Sequence, residues 1–153
     1  MKISSRTRYT ITVQRNRKYS IVALGGKEHF VKPDTQTGQK LYLVGLAGKL
    51  HYVGITNRPM SARISMGLKA KGKNGYHGYA WKHIREPMTL DVITWSGGKT
   101  IRKDVEAIEA EVAFLCRSKT GEWPLSQTEI HFRPPNAAHK KLAKDVYKLF
   151  KHR

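Results

Sequence analysis

The sequence predicts an α/β fold of the α+β sandwich type, a small central antiparallel sheet flanked by helices. Three observations point to it. Short, β-rich alternating segments come in pairs around tight turns, helix-period stripes follow them, and Gly, Pro and Asn fall at the joints. A chain of 153 residues, 39% of them hydrophobic, suits one compact domain with one sizeable core.

The elements follow in order. Arg8 to Gln14 and Lys18 to Leu24 alternate on either side of Arg15-Asn16-Arg17 and read as an N-terminal hairpin ended by Gly25-Gly26. Residues 32–38 form a loop by their turn residues. Lys40 to Leu46 and Leu50 to Ile55, joined by Ala47-Gly48-Lys49, make a second hairpin. Thr56-Asn57-Arg58-Pro59 opens a helix running to about Ala70, with Pro59 at its first position. A basic loop with three glycines fills Lys69 to Tyr79, and Tyr79 to Arg85 forms a short helical piece. Met88 to Trp95 is a third core strand. Lys103 to Ser118 is a helix stopped by Gly121 and Pro124, Thr128 to Phe132 a short strand, and Asn136 caps a last, Lys-rich helix over Ala137 to Lys151. The expected organisation is a hairpin extension over 1–38, a core over 40–127 and a basic helix over 136–153, within one domain.

Composition narrows the function. Twenty-nine Lys and Arg against eleven Asp and Glu give a formal charge of +18, far above the magnitude of about 2–8 that solubility asks for. Such a field captures polyanions, and nucleic acid is the first candidate because phosphate neutralisation releases counterions. No apolar run reaches the roughly 20 residues of a membrane helix, so no membrane partner is expected. The N-terminus lacks the apolar stretch of a secretory signal, which suggests a cytoplasmic protein. One cysteine, Cys116, excludes an internal disulfide and a thiolate zinc cluster.

Four residues stand out by position. On the 103–118 helix, Val105, Ile108, Val112, Leu115 and Cys116 share a stripe, and Glu109 lies at its edge. A carboxylate set against a core is seldom left there unless paired or binding a metal. Arg63 lies on the inward side of its helix, between Met60 and Gly67. Tyr42 and Tyr52 sit on the two strands of the second hairpin. Taken singly, the tyrosines also suit strand-core aromatics, and Arg63 with Glu109 a structural ion pair.

Taken together and in order, these residues resemble the GIY-YIG nuclease family over roughly residues 40–127. Lys40-Leu41-Tyr42 and Tyr52-Val53-Gly54 correspond to its two naming motifs, Arg63 to its helix arginine and Glu109 to its later glutamate. Lys40 stands where the first motif has glycine. No Asn occurs between Glu109 and Pro135, so Gln127 is the candidate for the family's amide, and His77 or His83 for its histidine. The resemblance implies a metal-dependent endonuclease hydrolysing DNA phosphodiester bonds: Tyr42 as general base, Tyr52 orienting the water, Arg63 on the phosphate and Glu109 holding one Mg²⁺ (or Mn²⁺). A phenol with a pKa near 10 must then be helped to ionise, and Lys40, on the same strand face, is one candidate helper. The expected DNA contacts, double-stranded DNA foremost, are Lys40, Arg58, Lys69, Lys71, Lys73 and Lys82. Double-strand cleavage would call for a homodimer or a partner subunit. The alternative is a non-catalytic basic nucleic-acid-binding module.

Overall fold

A computed structural model describes residues 1–152. Five strands, β1 (Lys2–Val13), β2 (Tyr19–Ala23), β3 (Lys40–Leu46), β4 (Lys49–Thr56) and β5 (Met88–Ser96), form one antiparallel sheet in the order β2-β1-β5-β3-β4. Helices α1 (Met60–Lys69), α2 (Arg102–Thr120) and α3 (Ala137–Lys151) complete it. The α/β sandwich expected from the sequence is what is found.

The period-2 alternation of the strands divides two cores. One face sends Tyr9, Ile11, Tyr42, Val44, Leu90 and Val92 against α1 through Met60, Ile64 and Leu68. The other sends Leu41, Leu43, Val53 and Ile93 against α2 and α3. β3 lies between β5 and β4, so Lys40 through Val44 are buried on both faces. Full burial of a side chain such as Ile64 contributes about 1.5–3 kcal/mol, and this layering supplies many of them.

Three boundaries differ from expectation. The first hairpin is less an appendage than a pair of sheet strands, because β1 extends back to Lys2 and pairs along β5 from Lys2↔Ser96 to Ile11↔Met88. Pro59 precedes α1 as its N-cap residue rather than occupying the first turn. Thr128 to Phe132 forms no strand. Instead the chain just before it docks on the outer edge of β4, with Leu125 N–H donating to Leu50 O (3.2 Å) and Ser126 N–H to His51 O (2.7 Å). The last helix begins as expected: Asn136 accepts from His139 N–H, and the His139 ring returns a bond to Asn136 N–H.

Candidate active site

The hairpin of β3 and β4 sets the geometry of the two tyrosines. Tyr42 pairs with Gly54 and Val44 with Tyr52, so both rings lie on the α1 face, diagonal to one another with centroids 5.9 Å apart. Gly54 makes room for them. A Cβ there would stand 2.6 Å from Cε1 of Tyr52 and 2.7 Å from the hydroxyl oxygen of Tyr42. The glycine of Tyr52-Val53-Gly54 is therefore required by the two aromatic rings beside it.

Arg63 reaches this cluster from the first turns of α1. Its guanidinium lies over the ring of Tyr79, 5.0 Å from the centroid, and its Nη1 donates to the Tyr76 hydroxyl at 2.7 Å. Burial works against its charge, but the phenols of Tyr42 and Tyr79 outweigh that and hold its pKa above the ordinary value. Glu109 lies on α2, which packs on the opposite face of the sheet. Burial first, and the charge of Glu106 second, push its carboxyl up to about 7, while Arg102 and Arg63 pull it down. No hydrogen bond or ion pair engages the Glu109 carboxylate among the described residues. Its neighbour Glu106 is taken by Arg102 and Arg133, each at 2.7 Å.

Both tyrosines are held firmly in the neutral form. Burial raises Tyr42 well above the usual phenol range, the Tyr79 phenol adds to this, and Arg63 opposes it. For Tyr52 burial again dominates, with Tyr42 reinforcing it, Arg63 opposing and Glu109 adding a smaller upward push. Tyr42 is wholly enclosed and Tyr52 half-buried.

Several expected site residues are placed elsewhere. The Lys40 ammonium, enclosed at 2% exposure, donates to the carbonyls of Gln36 (2.5 Å), Gly38 (2.9 Å) and Arg58 (3.0 Å). It ties the 36–38 loop to the entry of α1, so it is available neither to a phosphate nor to the Tyr42 phenol. Lys82 is likewise turned inward, donating to Ala70 O (3.2 Å) and His77 O (2.6 Å). The Gln127 amide is engaged with the edge of β4, accepting from Val53 N–H at 3.0 Å and donating to Val53 O at 3.2 Å. It seals a strand edge that would otherwise be open to pairing. His77 is exposed, and its ring makes no hydrogen bond among the described residues. Arg58, Lys69, Lys71 and Lys73 are exposed, the lysines along the end of α1 and the loop that follows.

That loop is pinned at its base. Tyr79 N–H donates to Gly67 O at 3.1 Å, and Lys82 holds Ala70 and His77 together. The tip carries Asn74 and three glycines in the left-handed region. Tyr76 projects from it onto Arg63. Tyr79 is buried at the centre of the cluster. The signal for it was Gly67, one turn beyond Arg63 on the buried side of α1, where an absent side chain leaves space for another residue.

Comparison with known proteins returned no match: no family model fits the chain, and no curated protein or solved structure is similar to it at the threshold applied.

Proposed function

We propose that the protein is a metal-dependent endonuclease that hydrolyses phosphodiester bonds in DNA. The observation that carries this is the cluster of Tyr42, Tyr52, Tyr79 and Arg63 on one face of the sheet, with Glu109 of α2 close enough for its charge to bear on Tyr52. Glu109 is half-buried and makes no hydrogen bond or ion pair among the described residues, which leaves its carboxylate open to water or a cation.

Phosphodiester hydrolysis asks for a positioned water, a stabiliser for phosphate charge and help for the leaving oxygen. Arg63 would bind a non-bridging phosphate oxygen through its planar fork, displacing the Tyr76 hydroxyl that now holds that place. Tyr52 would orient the attacking water and Tyr42 would take its proton. Glu109 fits Mg²⁺ as a hard oxygen ligand, since this ion is commonly held by one or two carboxylates together with water and substrate phosphate. When bound, the ion stabilises charge on the leaving oxygen. The exposed Arg58, Lys69, Lys71 and Lys73 would carry the duplex through its backbone, which makes binding steeply salt-dependent.

The full enclosure of Tyr42 favours a second reading, a non-catalytic basic module in which the tyrosines are core aromatics. Supercoiled plasmid incubated with the protein, with Mg²⁺ or with EDTA, separates the two. Nicked or linear product that needs metal and is lost in Glu109→Ala supports the nuclease. Tight binding without cleavage in Mg²⁺ or Mn²⁺ supports the binding module.

A further inference from the structure

Tyr79 is the one buried member of the cluster to which the proposed reaction gives no task. Its ring fills the space left by Gly67: a Cβ there would stand 2.1 Å from Cε2 of Tyr79. Trp81 stacks beneath it at 4.4 Å, and the Arg63 guanidinium lies over it at 5.0 Å. So held, the ring sets its hydroxyl 2.8 Å from the hydroxyl of Tyr42. Packing alone needs a ring here, and phenylalanine would supply it. The hydroxyl is what requires explanation, because burying it without a partner costs free energy and it is given the Tyr42 oxygen.

We propose that Tyr79 is a positioning residue for Tyr42, its hydroxyl fixing the Tyr42 oxygen and sharing one proton with it when the pair carries a negative charge. The inference rests on the nuclease reading. When the pair loses one proton to solvent, two oxygens 2.8 Å apart hold one proton and one negative charge between them. A charge-assisted O–H···O⁻ bond of this kind is stronger than a neutral one. The pair then titrates as a unit. During hydrolysis the water oxygen bonds to phosphorus, and the water gives a proton back to the pair. The P–O bond to the leaving group breaks, and the leaving oxygen takes a proton from solvent. Burial opposes ionisation of either phenol and Arg63 favours it in both; the bond from Tyr42 eases loss of the first proton at Tyr79, and the Tyr79 charge then opposes loss of the second at Tyr42. The other groups facing the pair are Tyr52 from β4 and Tyr76 from the loop, with Glu109 of α2 acting on Tyr52.

Tyr79→Phe in the full chain, assayed with Mg²⁺, tests this. The ring, its stack on Trp81 and the Gly67 contact remain, so the unfolding midpoint and DNA affinity should stay close to wild type. The expected result is a kcat lower by about 10–100-fold with KM unchanged, and the rising limb of the pH–rate profile, set by loss of the pair's proton, moved to higher pH by about one unit or more. Glu109 is common to both proteins, so only the limb set by the phenols should move. Independently of activity, NMR of Tyr Cζ-labelled protein in mixed H₂O and D₂O should show a slowly exchanging Tyr42 hydroxyl proton that becomes fast in Tyr79→Phe. An active wild type with an unchanged rate and pH profile in Tyr79→Phe overturns the proposal and leaves the nuclease intact. A wild type that cleaves in no metal overturns the nuclease reading itself.

Discussion

Two of the molecule's arginine–carboxylate relationships, Arg8 with Asp91 and Arg63 with Glu109, are built in opposite ways. Arg8 and Asp91, on neighbouring strands β1 and β5, form a two-pronged pair with Nε–Oδ1 at 2.6 Å and Nη2–Oδ2 at 2.7 Å. Arg8 also donates to Phe150 O at 2.8 Å, and Arg6 donates to Leu149 O and His152 O, so the pair fastens the end of α3 to the sheet. Arg63 and Glu109 feel each other's charge, yet no ion pair within 4.0 Å joins them among the described residues. Arg63 leans on aromatic rings, and Glu109 keeps its proton until about pH 7. The first partnership is complete in itself. The second is two halves held apart, an arrangement that suits a third component carrying both charges, such as a phosphate with its cation.

Mutations should separate the two partnerships cleanly. The largest effect expected is on cleavage in Glu109→Gln, a loss of about 10³-fold, about 4 kcal/mol of barrier, in plasmid nicking with Mg²⁺. Retained activity there would end the comparison, because Glu109 would then be no more functional than Asp91. Asp91→Ala should do the reverse. Leaving Arg8 buried without its partner should lower stability by about 3–5 kcal/mol in urea unfolding and loosen α3 to protease, while the folded fraction still cleaves. Arg63→Ala should cost about 10²-fold in kcat/KM with a near-native unfolding midpoint. A large loss of stability instead would make it structural, like Arg8.

Smaller effects sharpen the contrast. Folding raises the Glu109 pKa from about 4.5 to about 7, so the folded state binds the proton more tightly than the unfolded chain does. The stability this provides is present below about pH 4.5, is lost as pH rises through about 7, and stays lost above it. Glu109→Gln should therefore match wild type at pH 4 and exceed it by about 1–2 kcal/mol at pH 8, discounted from the full shift for solvent access. Calorimetry at the two pH values checks the sign. Tyr76→Phe frees the Arg63 fork and should tighten binding of a short DNA duplex by a factor of about three, within the worth of one neutral hydrogen bond.

The second hairpin, the stripe of α2 and the Asn136 cap were legible because each rests on local rules of period and capping. Tyr42, Tyr52, Arg63 and Glu109 were legible because each lies on a regular element whose inward side can be counted. Cation by cation, charge was not. Lys40 and Lys82 look like phosphate contacts in a basic sequence, yet backbone carbonyls of the turns folded around them claim both ammonium groups. Residues 128–132 have strand composition but run alongside no strand with a free edge, since Gln127 and its neighbours already cover β4. Tyr79 was hidden for the same reason: its partner is 37 residues away, and only folding brings the two hydroxyls together.

The pins at the base of the 71–78 loop make it exchangeable. Tyr79 and Lys82 secure the chain where the loop rejoins the body, and of residues 71–77 the Tyr76 hydroxyl is bonded to Arg63. Length and sequence at the glycine-rich tip are free to vary without disturbing the sheet beneath. If the nuclease reading holds, replacing this one short segment would change the contacts to the target while the residues beneath it stay unchanged.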